Sequence, residues 1–383
     1  MTTLIHNGTL LTPTERVTDG WVLIEGDHIV ETGRGKGPPA GKIIDAAGRT
    51  VAPGFIDLHV QGFRGYDLWD KSEPRYLKAT RAMASTGTTA FQASVDATAE
   101  VCEVMRPRIG QIDGGARLLG LLFEVPFIAH DKRGAIPPDR IREPTPEAAE
   151  EIIGFSEGLL STITMAPERP GAKALIRRFR EVTGPTGQPV VVAVGHTVAT
   201  YDEAVAGIRA GISHCTHLYN AMTWMHHREP GPVGAVLIRP HVTAEIVCDG
   251  VHLHPAVVRL TIACKGAART CLVTDAVSGR GREIVDGAPR LADGTLAGSI
   301  LSMDRAVANA VQFADIPMAS AVEMATLSPA RVLGMEGIRG SLAPGKAADI
   351  ILFSDEEVKV SLTMVAGRVV WEAETPDTAG GEA

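Results

Sequence analysis

Apolar and polar positions follow two different rhythms along this chain. Over residues 1–52, short β-like runs (LIHNGTLLTP, GWVLIEGDHIVETG, GKIIDAAGRTVAPG) are punctuated by Gly, Asp and Pro, and no long helical period develops. The carboxyl-terminal stretch behaves the same way, with GKAADIILFSD and VKVSLTMVAGRVVWEAE reading as strands around a Gly turn. Two β-rich ends flanking a long middle predict one small β-sandwich domain assembled from residues 1–52 and 341–383. The final GGEA reads as a frayed tail.

The middle, residues 53–340, alternates differently. Near-continuous apolar, β-branched runs recur at FIDLHV, TAFQASV, ARLLGLLFEV, LLSTITMAP, VVVAVGHT, ISHCTHLYN, TAEIVCDG and TCLVTDAV. Between them lie amphipathic helical candidates such as YDEAVAGIRAG, which opens with Thr200 and Glu203 in capping-box spacing and stops at Gly211. Strands that are apolar on both faces and alternate with helices imply a parallel sheet covered on its outer side. Eight such units predict an α/β fold of the (β/α)8 TIM barrel type.

Composition narrows the function classes. Hydrophobic residues make up 45% of the chain and charged residues 21%, which excludes a disordered or collagenous protein. The formal net charge of -8 is spread out, and no run of Lys or Arg offers a footprint for nucleic acid or an acidic membrane. The start, MTTLIHNGTLLTP, lacks a signal-peptide pattern, and the expected location is cytoplasmic. The five cysteines show no C-x-x-C spacing and are read as reduced, buried thiols. Cys215, although flanked by histidines, is read as a packed small side chain.

In a barrel enzyme the chemistry sits at the carboxyl ends of the strands. His59 closes the first run, Glu124 the third, His196 the fifth and His217 the sixth; His252 follows the seventh and Asp275 sits in the eighth. A single histidine there would be an ordinary hydrogen-bonded one. Six titratable groups on one rim are another matter, because each must be neutral, paired or metal-bound to escape desolvation. Glu124, His196 and His217 make a catalytic metal set with an open position for water, zinc being the natural choice. Such an ion brings bound water to a pKa of about 7, and Asp275 fits as general base and then acid. A serine-nucleophile hydrolase is the competing class, set aside because the chain is read as carrying no G-x-S-x-G elbow. Dinucleotide and P-loop motifs are not found either.

With those residues in view, the chain resembles the amidohydrolase superfamily and, within it, the N-acetylglucosamine-6-phosphate deacetylases. The resemblance runs over nearly the whole length and rests on PGFIDLHVQG, FEVPFIAHDKRGA, VGHT, THLYNAM, HREPGPVGA, CDGVHLHP, LVTDAV, DGTLAGSILSMDRAV, ATLSPARVLG and GSLAPGKAADIILF. It implies a homodimer that hydrolyses the acetamide of a phosphorylated amino sugar, giving glucosamine 6-phosphate and acetate. It further implies that Glu124, His196 and His217 hold the metal and that Asp275 is the acid/base. Asn220, Ala221 and His252 would meet the sugar or phosphate. Arg228 would bind phosphate, often across the subunit boundary, with His227 beside it facing the ligand.

The chain departs from that pattern at four places. Relatives with two metals carry H-x-H on the first strand, whereas this chain has His59 and Gln61. An amide is a poor zinc ligand beside imidazole, so one divalent ion per subunit is expected, with zinc ahead of iron, manganese or cobalt. A second site at His59 and Asp275 would be weak, and Gln61 becomes a hydrogen bonder to substrate or to a neighbouring group, with His59 steadying Asp275. Glu124-Val125-Pro126 replaces the usual Glu-Gly-Pro, and Gly134-Ala135-Ile136 replaces Gly-Ala-His, removing a donor that His130 could restore. Phe63, Arg64 and Trp69 add bulk to the first loop, where Arg64 could be a further phosphate ligand. Another N-acyl amino sugar such as N-acetylgalactosamine 6-phosphate, another amide, or a silent sugar-phosphate binder are the alternatives.

Overall fold

The computed structural model describes residues 2–12 and 15–374. All eight apolar runs of the middle form strands: Phe55–Val60, Thr88–Val95, Arg117–Phe123, Leu160–Met165, Val191–Val194, His214–Cys215, Thr243–Val247 and Thr270–Val273. They pair in parallel and in sequence order from first to eighth. A parallel bridge between Val60 and Ala276 then brings the eighth strand back to the first, giving a nearly closed barrel. Their continuous burial explains the unbroken apolar runs, since one face packs the barrel interior and the other the helices.

The helices form where their ends are capped. Tyr201–Ala210 starts with the reciprocal Thr200 and Glu203 capping box and ends at Gly211, whose φ of 135° suits a residue without a Cβ. Pro146–Phe155 and Ala99–Met105 start on Thr145 and Thr98, each side chain accepting from the third backbone N–H beyond it.

Both termini meet in one further sheet of eight strands: Thr2–Leu11, Arg16–Glu25, His28–Arg34, Lys42–Asp45, Thr50–Pro53, Ile350–Ser354, Lys359–Val365 and Arg368–Glu372. Its hydrogen-bond ladder is continuous and branches at the first strand, which carries Lys42–Asp45 and Thr50–Pro53 on one edge. A division into two facing layers is not drawn by this pairing. The sheet has its own core around Ile5, Val22, Ile29, Val51 and Ile350, while Phe353 and Val360 pack with the barrel. A buried Arg339–Asp349 pair at 2.9 Å and the Thr363 hydroxyl donating to Ala84 O tie sheet to barrel. The expected GGEA tail lies outside the described residues.

Two details differ from the sequence reading. Asp275 lies just past the eighth strand and not in it, because Thr274 turns its hydroxyl back to Asp57 and ends the ladder. Cys264 is exposed, whereas the other four cysteines are buried.

Candidate metal centre and active site

Glu124, His196 and His217 follow the ends of the third, fifth and sixth strands, and their side chains converge. Glu124 Oε1 lies 2.8 Å from both His196 Nε2 and His217 Nε2, and the two imidazole nitrogens are 3.1 Å apart. Among the described residues this is the cluster able to hold a metal ion. The donor chemistry fits one. His196 Nδ1 lies 2.6 Å from the carbonyl of Lys132, which can only accept, so Nδ1 carries the proton. His196 Nε2, His217 Nε2 and Glu124 Oε1 are thus the three ligand atoms that face one shared point. Burial alone would push the Glu124 carboxyl up, yet His196, His217 and His59 hold it well below the usual carboxylate range.

The backbone at these positions is strained. His196, His217 and Asp275 have φ of 46°, 26° and 47°, and Tyr219 and Ala221 are also left-handed at 78° and 51°. Each such residue costs about 1–3 kcal/mol, and clusters of them mark sites whose side chains must be aimed.

Asp275 stands at the seam between the eighth and first strands. Its N–H donates to His59 O at 2.8 Å, and its carbonyl accepts from Ser299 N. Gln61 Nε2 donates to its Oδ1 at 3.2 Å, so the amide in place of a second histidine serves the carboxylate directly. His59 Nε2 lies 3.5 Å from the same oxygen without a hydrogen bond to it.

These groups open into a cavity of about 540 Å³, which Asn220, Ala221 and His252 also line. His252 is aimed by Asp249, whose carboxylate takes Nδ1 at 2.7 Å. Asn220 is turned inward, its amide donating to the carbonyls of His217 and Leu218. Ile136 and Trp69 reach the cavity too, and Lys132, Arg140 and Arg282 bring positive charge.

Other expected groups lie elsewhere. His227 and Arg228 are exposed on the loop after Ala221 and do not line the cavity within one chain. Arg64 does not line the cavity either; its guanidinium lies over the Phe63 ring and donates to Ser85 Oγ. His130 is exposed and does not line the cavity. Burial pushes the Cys215 thiol up, as expected of a packed side chain. GFSEG, residues 154–158, does spell G-x-S-x-G, contrary to the sequence reading. Ser156, however, caps a helix, is buried, and donates to Ile152 O at 2.6 Å, so no strand-to-helix elbow exists there.

The sequence reading missed a second buried polar group behind the site. Glu245, inside the seventh strand, takes His59 Nδ1 at 3.1 Å, His214 Nε2 at 3.0 Å and the His217 N–H at 3.0 Å. Asp57 accepts from the N–H groups of His59 and Thr274 and from the Thr274 hydroxyl. Burial raises the Asp57 carboxyl to about 7 despite those donors. Burial would depress the His59 imidazole, but Asp275, Glu245 and Glu124 outweigh it and lift it to about 10. The available signal was a lone carboxylate inside each apolar strand, FIDLHV and TAEIV.

Residues 50–370 match the model of the amidohydrolase family. The N-acetylgalactosamine-6-phosphate deacetylase of Escherichia coli O157:H7 is 34% identical over 337 residues, 83% of this chain and 87% of that protein. The N-acetylglucosamine-6-phosphate deacetylase of Bacillus subtilis (strain 168) is 30% identical over 98% of both chains. The crystal structure of N-acetylglucosamine-6-phosphate deacetylase from Pasteurella multocida superposes with a TM-score of 0.88 at 28% identity, covering 96% of this chain and 99% of that one.

Proposed function

The chain belongs to the amidohydrolase family, and from that premise we propose that it hydrolyses the acetamide of N-acetyl-D-glucosamine 6-phosphate to glucosamine 6-phosphate and acetate. The observation that carries this reading is the convergence of Glu124, His196 and His217 beside Asp275 in one cavity. A divalent ion held by those three residues, zinc in this reading and one per subunit, supplies Lewis acidity at the scissile amide. Asp275 takes a proton from the attacking water and delivers it to the leaving nitrogen, so that the sugar amine departs neutral. Asn220 and His252 orient the sugar, and the strained Ala221 backbone, its carbonyl taken by the Thr197 N–H, leaves its own N–H for a ligand at the cavity wall.

Phosphate recognition falls to cations. Lys132 and Arg282 line the cavity, and Arg228, with His227 beside it, is exposed and would serve the cavity of a second copy in a homodimer. The enzyme would work in the cytoplasm, with residues 53–340 as the catalytic barrel and residues 1–52 and 341–383 as the small β-sandwich domain. The sheet's own core around Ile5, Val22 and Ile350 supports that division, while Leu11, Phe353 and Val360 join it to the barrel.

The deciding experiment measures acetate and free amine released from N-acetylglucosamine 6-phosphate by protein of known metal content, beside the unphosphorylated sugar. Metal-dependent turnover with strong preference for the phosphate is expected. No turnover of the phosphate at full metal occupancy overturns the reading, and faster turnover of N-acetylgalactosamine 6-phosphate reassigns the sugar.

A further inference from the structure

The buried carboxylate of Glu245 has no part in the chemistry above, yet three donors converge on it. Its Oε2 takes both His59 Nδ1 and the His217 N–H, and its Oε1 takes His214 Nε2, whose Nδ1 meets Thr243 Oγ1 at 2.6 Å. Glu245, His59 and His214 are all within 1% of full burial. The fold does not demand such a cluster, since well-packed apolar residues in place of buried ionic groups are often neutral or stabilising.

What the cluster fixes is the direction of one ring. A carboxylate only accepts, so His59 Nδ1 donates to Glu245, and the imidazole plane is set from behind. Its Nε2 is then aimed forward into the site, 3.5 Å from Asp275 Oδ1 and 3.9 Å from Glu124 Oε1. Among the described residues this fully buried nitrogen makes no hydrogen bond of its own. Asp275 Oδ1 is thereby bracketed by His59 on one side and Gln61 on the other. Its main chain is left-handed at φ 47° and pinned to the His59 carbonyl.

We infer that Glu245 is a positioning residue for Asp275, acting through His59; the inference rests on the reading of Asp275 as the acid/base. A misplacement of about 1 Å at a reacting group costs on the order of a hundredfold in rate, so a fixed ring beside Asp275 has catalytic weight. Glu245 also holds the N–H of His217, and the test must separate that route.

The test compares the parent with Glu245→Gln, His59→Asn and the double variant, reading kcat, KM, bound metal per chain and the 13C signal of the Asp275 carboxyl. Glutamine keeps the size of Glu245 but offers one acceptor and one donor where three donors meet. Each single change is expected to lower kcat about 10- to 100-fold, the range for groups that orient a metal site's residues, with KM and metal content near the parent's. The double variant is expected to be no slower than the slower single one, because both changes cut the same connection. Losses that multiply, an effect confined to KM, or a kcat loss that tracks lost metal overturns the inference. Should Glu245→Gln not fold, His59→Asn decides alone, and an unchanged kcat rejects it. Should the parent not hydrolyse the sugar phosphate, the functional reading fails by itself. The inference is then read from the Asp275 signal, which shifts in both single variants if it is right and stays in place if it is wrong.

Discussion

Two sectors of the same rim use the same residue types to opposite ends. On the third, fifth and sixth strands, Glu124, His196 and His217 turn their ligand atoms toward one another, within 3.1 Å, and toward an open cavity. On the first, seventh and eighth, Asp57, His59, Glu245 and Thr274 close on each other and on backbone N–H groups, behind the cavity wall. A buried carboxylate or imidazole is therefore no mark of a ligand site by itself. What separates the sectors is where the hydrogen bonds go: inward to the protein in one, onto a shared point in the other. Asp275 sits on the border, bonded to the closed sector and facing the open one.

The contrast breaks first if the open sector tolerates loss of its carboxylate. Glu124→Gln, or a chelator applied to the parent protein, is expected to remove the ion and lower turnover by roughly a thousandfold or more, because both Lewis acidity and solvent activation go with it. Elemental analysis beside an acetate assay checks this, and full activity without metal would sink the assignment. Next in size, Asp275→Asn is expected to lower kcat by about 10²- to 10⁴-fold while the ion stays bound, the usual weight of a general acid/base. Equal loss of metal and activity would move Asp275 into the ligand set.

Within the closed sector, Asp57 should answer in stability. Asp57→Asn replaces an acceptor facing three donors with an amide, and is expected to cost about 1–3 kcal/mol in denaturant unfolding while metal content holds. It should also change the pH profile. The Asp57 carboxyl is raised in the folded state from 3.8 to about 7, so between those values the folded protein binds the extra proton. Stability from this group is greatest at low pH, falls as pH rises toward 7, and is flat above. Asp57→Asn should remove that slope, and an unchanged profile would mean the carboxylate is ionised throughout. The smallest effect concerns the cavity wall. Ile136→His, which restores a donor, is expected to raise kcat by no more than about tenfold, well short of the hundredfold scale of a complete oxyanion donor.

The open sector was legible in the sequence and the closed one was not, for a physical reason. Barrel strands announce themselves as continuous apolar runs, and a polar residue at their ends stands out against that background. Glu124, His196, His217 and Asp275 could therefore be picked out in advance. Glu245 and Asp57 sit inside such runs, where one charge looks like noise in the pattern. Their partners lie far away in the chain: His59 and Glu245 are 186 positions apart, and Asp57 and Thr274 are 217 apart. Only the closing of the barrel pairs them. The contacts of Arg64 were hidden for a related cause, since nothing in QGFRGYDLWD says that its guanidinium lies over Phe63 and bonds Ser85. His227 and Arg228 could be recognised only by resemblance, and a single chain leaves them exposed.

The seam where Thr274 and Asp275 meet the first strand also sets a timetable for synthesis. A chain leaving the ribosome has made all three converging ligands once His217 has emerged. By then the carboxylate of Asp57, one of the earliest barrel residues to appear, still has no Thr274 to hold it. The ring can shut only after the last strand arrives, and the same event that satisfies that waiting carboxylate carries Asp275 into place. Glu245, which holds the His217 N–H, also emerges after His217, so the three converging side chains and Asp275 all reach their final places as the last two strands close the ring.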